Sequence, residues 1–123
     1  MTARLIIIDD ETDLFPLFKI KFKQEIKDNK IKLDFFTSGE EAIKFLESNP
    51  GEVFKVVLSD LNLPTMGGLD ILKKLKSFNI EQKIFLVSAQ NDELTVDNAL
   101  KEGADGFFGK PVDFARLKKI LEL

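Results

Sequence analysis

Apolar runs of strand length alternate five times with segments of helical spacing along this chain, and that rhythm limits the fold more than any other feature. Leu5 to Ile8 opens it, a short β-branched run of the kind that is buried in a parallel sheet. Thr12 or Asp13 is placed to cap a helix, and Pro16 is tolerated in a first turn. Phe15, Phe18, Phe22 and Ile26 then recur at i, i+3, i+7 and i+11, which is helical spacing, although Lys19, Lys21 and Lys23 also alternate as a strand would. Ile31 to Phe36 predicts the second strand. Ser38 with Glu41 forms a capping box that opens a helix through Glu47, and Asn49-Pro50-Gly51 predicts a turn. Val53 to Ser59 predicts the third strand, ending in Asp60, and the loop from Leu61 to Gly68 carries Pro64 and two glycines. Leu69, Leu72, Leu75 and Lys76 predict a short helix. Ile84 to Val87 is the fourth strand, ended by Ser88, and Asp92 to Lys101 is a polar helix closed by Gly103. Asp105 to Gly109 is the fifth strand, Lys110-Pro111 a turn, and Val112 to Leu123 a final amphipathic helix.

Parallel strands need long crossover connections, and helices supply them here. The pattern therefore predicts an α/β fold, a doubly wound parallel sheet with helices on both faces. At 123 residues the chain suits a single domain, 1–123, without internal repeat or linker. In open sheets of this class ligands bind beyond the carboxyl ends of the strands, at the topological switch point.

Composition removes several chemistries. The chain has no Cys, so disulfides, thiolate metal sites and cysteine nucleophiles are out. It has no His, which removes the commonest general base and any internal histidine phosphodonor. A bound metal must be held by oxygen, which favours hard cations such as Mg²⁺ or Mn²⁺. The net charge of −3, from 18 basic and 21 acidic residues, argues against direct nucleic-acid binding by this segment. Met1 to Arg4 leads into an apolar run too short for a signal peptide or membrane span, so a cytoplasmic location is expected.

The predicted strand ends carry the unusual polar residues. The first gives Asp9 and Asp10, the third Asp60, the fourth Ser88 and the fifth Lys110. Taken singly, each has an ordinary reading. An acidic pair is often a solvated helix N-terminus, Lys110 a surface charge, Ser88 a cap and the 12 Phe residues core. In a parallel sheet, however, these ends share one edge. Three carboxylates meeting there raise one another's pKa values or demand a cation. A Mg²⁺ ion, or Mn²⁺, answers that demand, and Lys110 adds a second positive charge. Such an assembly suits phosphoryl transfer, which needs positioning and charge neutralisation more than acid–base groups. A carboxylate can be the acceptor, with Ser88 and backbone amides after Asp60 donating hydrogen bonds, and Gly67 and Gly68 letting the loop pass tightly.

The segments IIIDDE, SDLNLPTMGGLDILKKLK, FLVSA and GADGFFGKP resemble, in order and in register, the signature segments of response-regulator receiver domains of two-component signal transduction. The likeness covers essentially the whole chain. It implies a flavodoxin-like fold with five strands in the order 2-1-3-4-5 and five helices. It implies Asp60 as phosphoacceptor, metal ligation by Asp10, Asp60 and the backbone carbonyl of Asn62, and a role for Asp9 through water. Ser88 and Lys110 would contact the phosphoryl group, and Ser88 and Phe107 would act as the switch. The implied partners are a histidine kinase or histidine phosphotransfer protein, with an output domain or downstream protein, and phosphorylation-dependent dimerisation is open to such a domain. The implied reaction is a Mg²⁺-dependent, self-catalysed phosphoryl transfer with slow autodephosphorylation in a signalling domain, not a dedicated enzyme. It changes the surface of the fourth helix, fifth strand and fifth helix. The Lys110-Pro111 bond is expected to be cis, against ~5–6% for X–Pro bonds generally.

Four positions depart from the commonest pattern: Ser88 for Thr, Phe107 for Tyr, Gly109 for a larger apolar residue, and Gln90 near the phosphoryl approach. Gly109 is expected to loosen the fifth strand. Rival readings are a phosphorylation-independent receiver-like docking module and a haloacid-dehalogenase-type phosphatase. The latter needs a second acid where this chain has Asn62. A flavin protein of the same architecture is disfavoured, because acids stand where its phosphate loop would be.

Overall fold

The computed structural model describes residues 2–49, 55–78 and 82–123. Its strands are β1 (Ala3–Ile8), β2 (Ile31–Phe36), β3 (Val56–Asp60), β4 (Lys83–Ser88) and β5 (Gly106–Gly109). Its helices are α1 (Leu14–Lys21), α2 (Lys23–Lys27), α3 (Gly39–Ser48), α4 (Gly68–Lys76), α5 (Glu93–Lys101) and α6 (Phe114–Ile120). The five strands form one sheet in the order β2-β1-β3-β4-β5, and every pairing is parallel. The predicted topology is the observed one. Val53 and Phe54, expected at the start of the third strand, and Pro50 and Gly51 of the expected turn lie outside the described residues.

Two buried clusters cover the two faces of the sheet, because alternate side chains of each strand point to opposite sides. Ile6, Ile8, Val57, Ile84, Leu86 and Phe107 pack with Ile71, Leu72 and Leu75 of α4. Leu5, Ile7, Leu58, Phe85, Val87 and Phe108 pack with Phe18, Phe22 and Leu117. The central strand β3 is buried at all of its positions, its apolar Val56 to Leu58 leading into the buried polar Ser59 and Asp60.

Six helices stand among the described residues where five were expected. Phe22, with φ −106° and ψ 17°, interrupts the first helix for one residue. Hydrogen bonds from Phe22 N–H to the Phe18 carbonyl (3.0 Å) and from Ile26 N–H to the Phe22 carbonyl (2.9 Å) still carry the ladder across. The Phe22 ring is fully buried between Phe18 and Phe114, so tertiary packing rather than propensity sets its backbone. Asp13 makes no side-chain cap for α1. Three helices do have side-chain caps: Ser38 Oγ accepts from Glu41 N–H, Asp92 from Thr95 N–H and Asp113 from Arg116 N–H. Glu41 does not reach back to Ser38; its carboxylate takes the Thr37 hydroxyl at 3.3 Å. The final helix starts at Phe114, after its Asp113 cap, and ends at Ile120, inside its predicted span of Val112 to Leu123.

Candidate phosphoacceptor site

Four parallel strands deliver the centre of the site. Asp60 is the last residue of β3 and Ser88 the last of β4, while Asp9 follows β1 and Lys110 follows β5 directly. Asp9 and Asp60 are only 4% and 5% exposed, and the backbone hydrogen bond from Lys110 N–H to the Ser88 carbonyl (3.1 Å) extends the β4–β5 ladder to the site. The Lys110 ammonium lies 3.2 Å from Asp60, 3.3 Å from Glu11 and 3.4 Å from Asp9. Carboxylate oxygens of Asp9, Glu11 and Asp60 all fall within 4.8 Å of one another. That donor set of convergent hard oxygens fits a Mg²⁺- or Mn²⁺-type ion.

The electrostatics follow from burial. Burial, reinforced by the Asp60 charge, pushes the Asp9 carboxyl above its ordinary pKa, although the Glu11 N–H (2.9 Å) and Lys110 oppose the shift. For Lys110 burial acts downward, but the Asp60 hydrogen bond and the charges of Asp60 and Asp9 outweigh it. The ammonium is held well above its ordinary range.

Asp10 is placed differently from expectation. Its side chain is exposed and stands outside the cluster, where Asp9 and Glu11 flank Asp60 instead. Residues 9–11 lie in the loop after β1, which turns Asp9 and Glu11 toward Asp60 and leaves Asp10 in solvent. Glu11 was quoted in the sequence motif without a role.

The loop after β3 aims two groups back at the site. Asn62 N–H donates to Asp60 Oδ1 at 3.1 Å, and the Asn62 side-chain amide donates to Ser88 Oγ, also at 3.1 Å. Gln90 N–H donates to the same Oγ at 3.0 Å. Ser88 thus has both acceptor positions filled, and its own O–H remains as a donor. The side-chain role of Asn62 was missed, since sequence reasoning assigned only its carbonyl. Gly68 is needed for close approach: a Cβ there would lie 2.8 Å from Leu61 Cα and 2.9 Å from the Asp60 carbonyl oxygen. Gly67 meets no comparable obstruction. Phe107 is already buried, 8% exposed, within the α4-side cluster. Gly109 pairs with Ser88 in register, and a side chain there would run into Asn91, so the residue makes room for the β4–α5 loop. The Lys110-Pro111 peptide is cis.

Beside the site, a largely apolar cavity of about 310 Å³ runs between α1 and the β5–α6 turn, lined by residues that include Leu14, Leu17, Pro111 and Phe114. Among the described residues, no helix is long and apolar enough to cross a membrane.

Comparisons with known proteins agree with this geometry. The model of the response regulator receiver domain family matches residues 5–122. The nitrate/nitrite response regulator protein NarL of Escherichia coli strain K12 is 33% identical over 121 residues, which are 97% of this chain and 53% of NarL. The chain thus spans about half the length of that relative. The receiver domain of the Francisella response regulator 1452 superposes with a TM-score of 0.80 at 25% identity, covering 98% of this chain and 94% of that one. The BeF₃-activated DrrB receiver domain gives 0.79 at 27% identity, covering 100% of both chains. With its sheet order, its strand-end acids and its lysine in place, the chain belongs to the response regulator receiver domain family.

Proposed function

We propose that Asp60 accepts a phosphoryl group from a phosphohistidine on a partner histidine kinase or phosphotransfer protein, and that the resulting acyl phosphate biases the surface formed by α5, β5 and α6. The observation that carries this reading is the buried Asp60 carboxylate, 3.2 Å from Lys110 and clustered with Asp9 and Glu11. In the transfer, an Asp60 oxygen attacks phosphorus, the P–O bond forms, and the P–N bond to the imidazole breaks. The departing imidazole takes a proton from solvent. A bound Mg²⁺ would neutralise the carboxylates and the phosphoryl oxygens. Lys110 supplies a fixed positive charge to the transferred group, and the free O–H of Ser88 is its hydrogen-bond donor.

Asp60, Asp10 and the Asn62 carbonyl are proposed as direct ligands, with Asp9 acting through water. Asp10 would have to turn inward to serve. Asp10→Asn should then weaken Mg²⁺ binding, read by titration calorimetry, more than Asp9→Asn does; the opposite ranking assigns the direct role to the buried Asp9.

Because Phe107 already sits inside the protein, the acyl phosphate would act by holding the ring there while Ser88 leaves Asn62 and Gln90 for the phosphoryl oxygens. The test is incubation with acetyl phosphate and Mg²⁺, followed by intact-mass measurement. One added phosphoryl group is expected in the wild type and none in Asp60→Asn or in the presence of chelator. Undiminished labelling of Asp60→Asn would overturn the assignment.

A further inference from the structure

The opposite edge of the sheet carries a feature that the phosphoacceptor chemistry does not use. β2 is the edge strand and pairs with β1 alone. A groove of about 790 Å³ follows it, lined by Arg4, Lys19, Lys23 and Lys32 together with Leu33 and Phe35 among others, and by no carboxylate among the described residues. Lys32 shares a face with Arg4, its register partner, whereas Leu33 and Phe35 point to the other face, toward α1 and α2. Side chains from both faces line one groove, so the groove runs along the open strand edge itself.

An edge strand presents unpaired backbone donors and acceptors, and lysines commonly guard it against indiscriminate pairing. Here the one acid of the strand, Asp34, is paired with Arg4, which leaves the lysines as the free charge, and the strand beneath them is partly apolar: Leu33 and Phe35 are only half-buried. Arg4 is tied to Asp34 at 3.1 Å, and Lys19 lies over the Phe35 ring at 5.6 Å. Lys23 and Lys32 make no ion pair among the described residues. The charge offered to a ligand is therefore mainly that of the lysines, in a chain whose net charge is −3.

We propose that the β2 edge is a docking site for an extended acidic peptide segment of a partner protein, added as a sixth strand with acidic side chains toward Lys32 and apolar side chains over Leu33 and Phe35. Strand addition takes affinity from backbone hydrogen bonds and specificity from alternate side chains, and this edge offers both. A nucleic acid would use the lysines but neither the strand edge nor the apolar side chains.

The probe is a fluorescein-labelled peptide alternating glutamate with valine, titrated into the chain at low salt and followed by anisotropy, with a lysine–valine peptide as control. Binding of the acidic peptide alone is expected, weakened about tenfold in the double variant Lys23→Glu/Lys32→Glu and weakened again by salt. Both lysines are exposed surface positions, and circular dichroism checks that the variant is folded. Amide hydrogen exchange should slow along residues 31–36 when the peptide binds. Absence of binding, equal binding of the lysine–valine peptide, or binding without slowed exchange in β2 would overturn the proposal. So would an oligonucleotide that competes with the peptide while leaving β2 exchange unchanged, because the groove would then be a polyanion surface.

Discussion

At Asp9 burial and function pull in opposite directions. Its carboxyl is forced upward in pKa by burial and by Asp60, so ionising it at neutral pH costs folding free energy. Asp9→Asn should therefore raise the stability of the metal-free protein, seen as a higher urea midpoint, while lowering Mg²⁺ affinity. A loss of stability would show that the Lys110 contact outweighs burial. Lys110 works in the other sense. Its raised pKa means that its stabilising contribution is intact below the ordinary lysine pKa and is lost only as pH rises beyond it, so the ammonium stays charged across neutral pH. Gly68 tests sterics alone. Gly68→Ala places a methyl against Leu61 Cα and the Asp60 carbonyl oxygen, and should cost about 1–3 kcal/mol in denaturant unfolding. An unchanged midpoint would mean that the loop shifts freely.

Between elements, the tie from α2 to α6 has a readable pH signature. Glu25 lies 3.1 Å from Lys118, whose ammonium also rests over the Phe22 ring. Burial acts upward on Glu25, but its own backbone N–H and Lys118 more than offset it, so its pKa is lowered. The stabilisation is then present above the unfolded glutamate pKa and lost as pH falls through the folded one. Glu25→Gln should cost about 0.5–1 kcal/mol at pH 7, and the gap to wild type should close below about pH 4. A gap independent of pH would point to packing instead. The elements themselves were largely legible, because their signals are local. Ser38 and Asp92 announce helices by side-chain oxygen, and β3 announces burial by its apolar residues Val56 to Leu58. The break at Phe22 was not legible, since helical spacing holds on either side and only the contact with Phe114, distant in sequence, fixes that backbone.

For the molecule as a whole, the sheet order β2-β1-β3-β4-β5 brings the ends of β1, β3, β4 and β5 together. That is why residues as far apart as Asp9 and Lys110 meet at 3.4 Å. Asp60, Ser88 and Lys110 could be read from the sequence because each ends or follows an apolar strand, and a parallel sheet aligns such ends. The turning-away of Asp10, the entry of Glu11 and the amide of Asn62 on Ser88 could not. They depend on side-chain direction in loops, which no periodicity encodes. The β2 edge, set apart from β3 by β1, leaves a second surface away from the strand ends that hold the acids. The most direct test of the central claim is chemical mapping of the modified residue. After reaction with acetyl phosphate and Mg²⁺, borohydride reduction converts an aspartyl phosphate to homoserine, which peptide sequencing by mass spectrometry locates. Homoserine at position 60 alone is predicted; conversion at position 9 or 10, or none anywhere in a folded, Mg²⁺-loaded sample, would contradict the account.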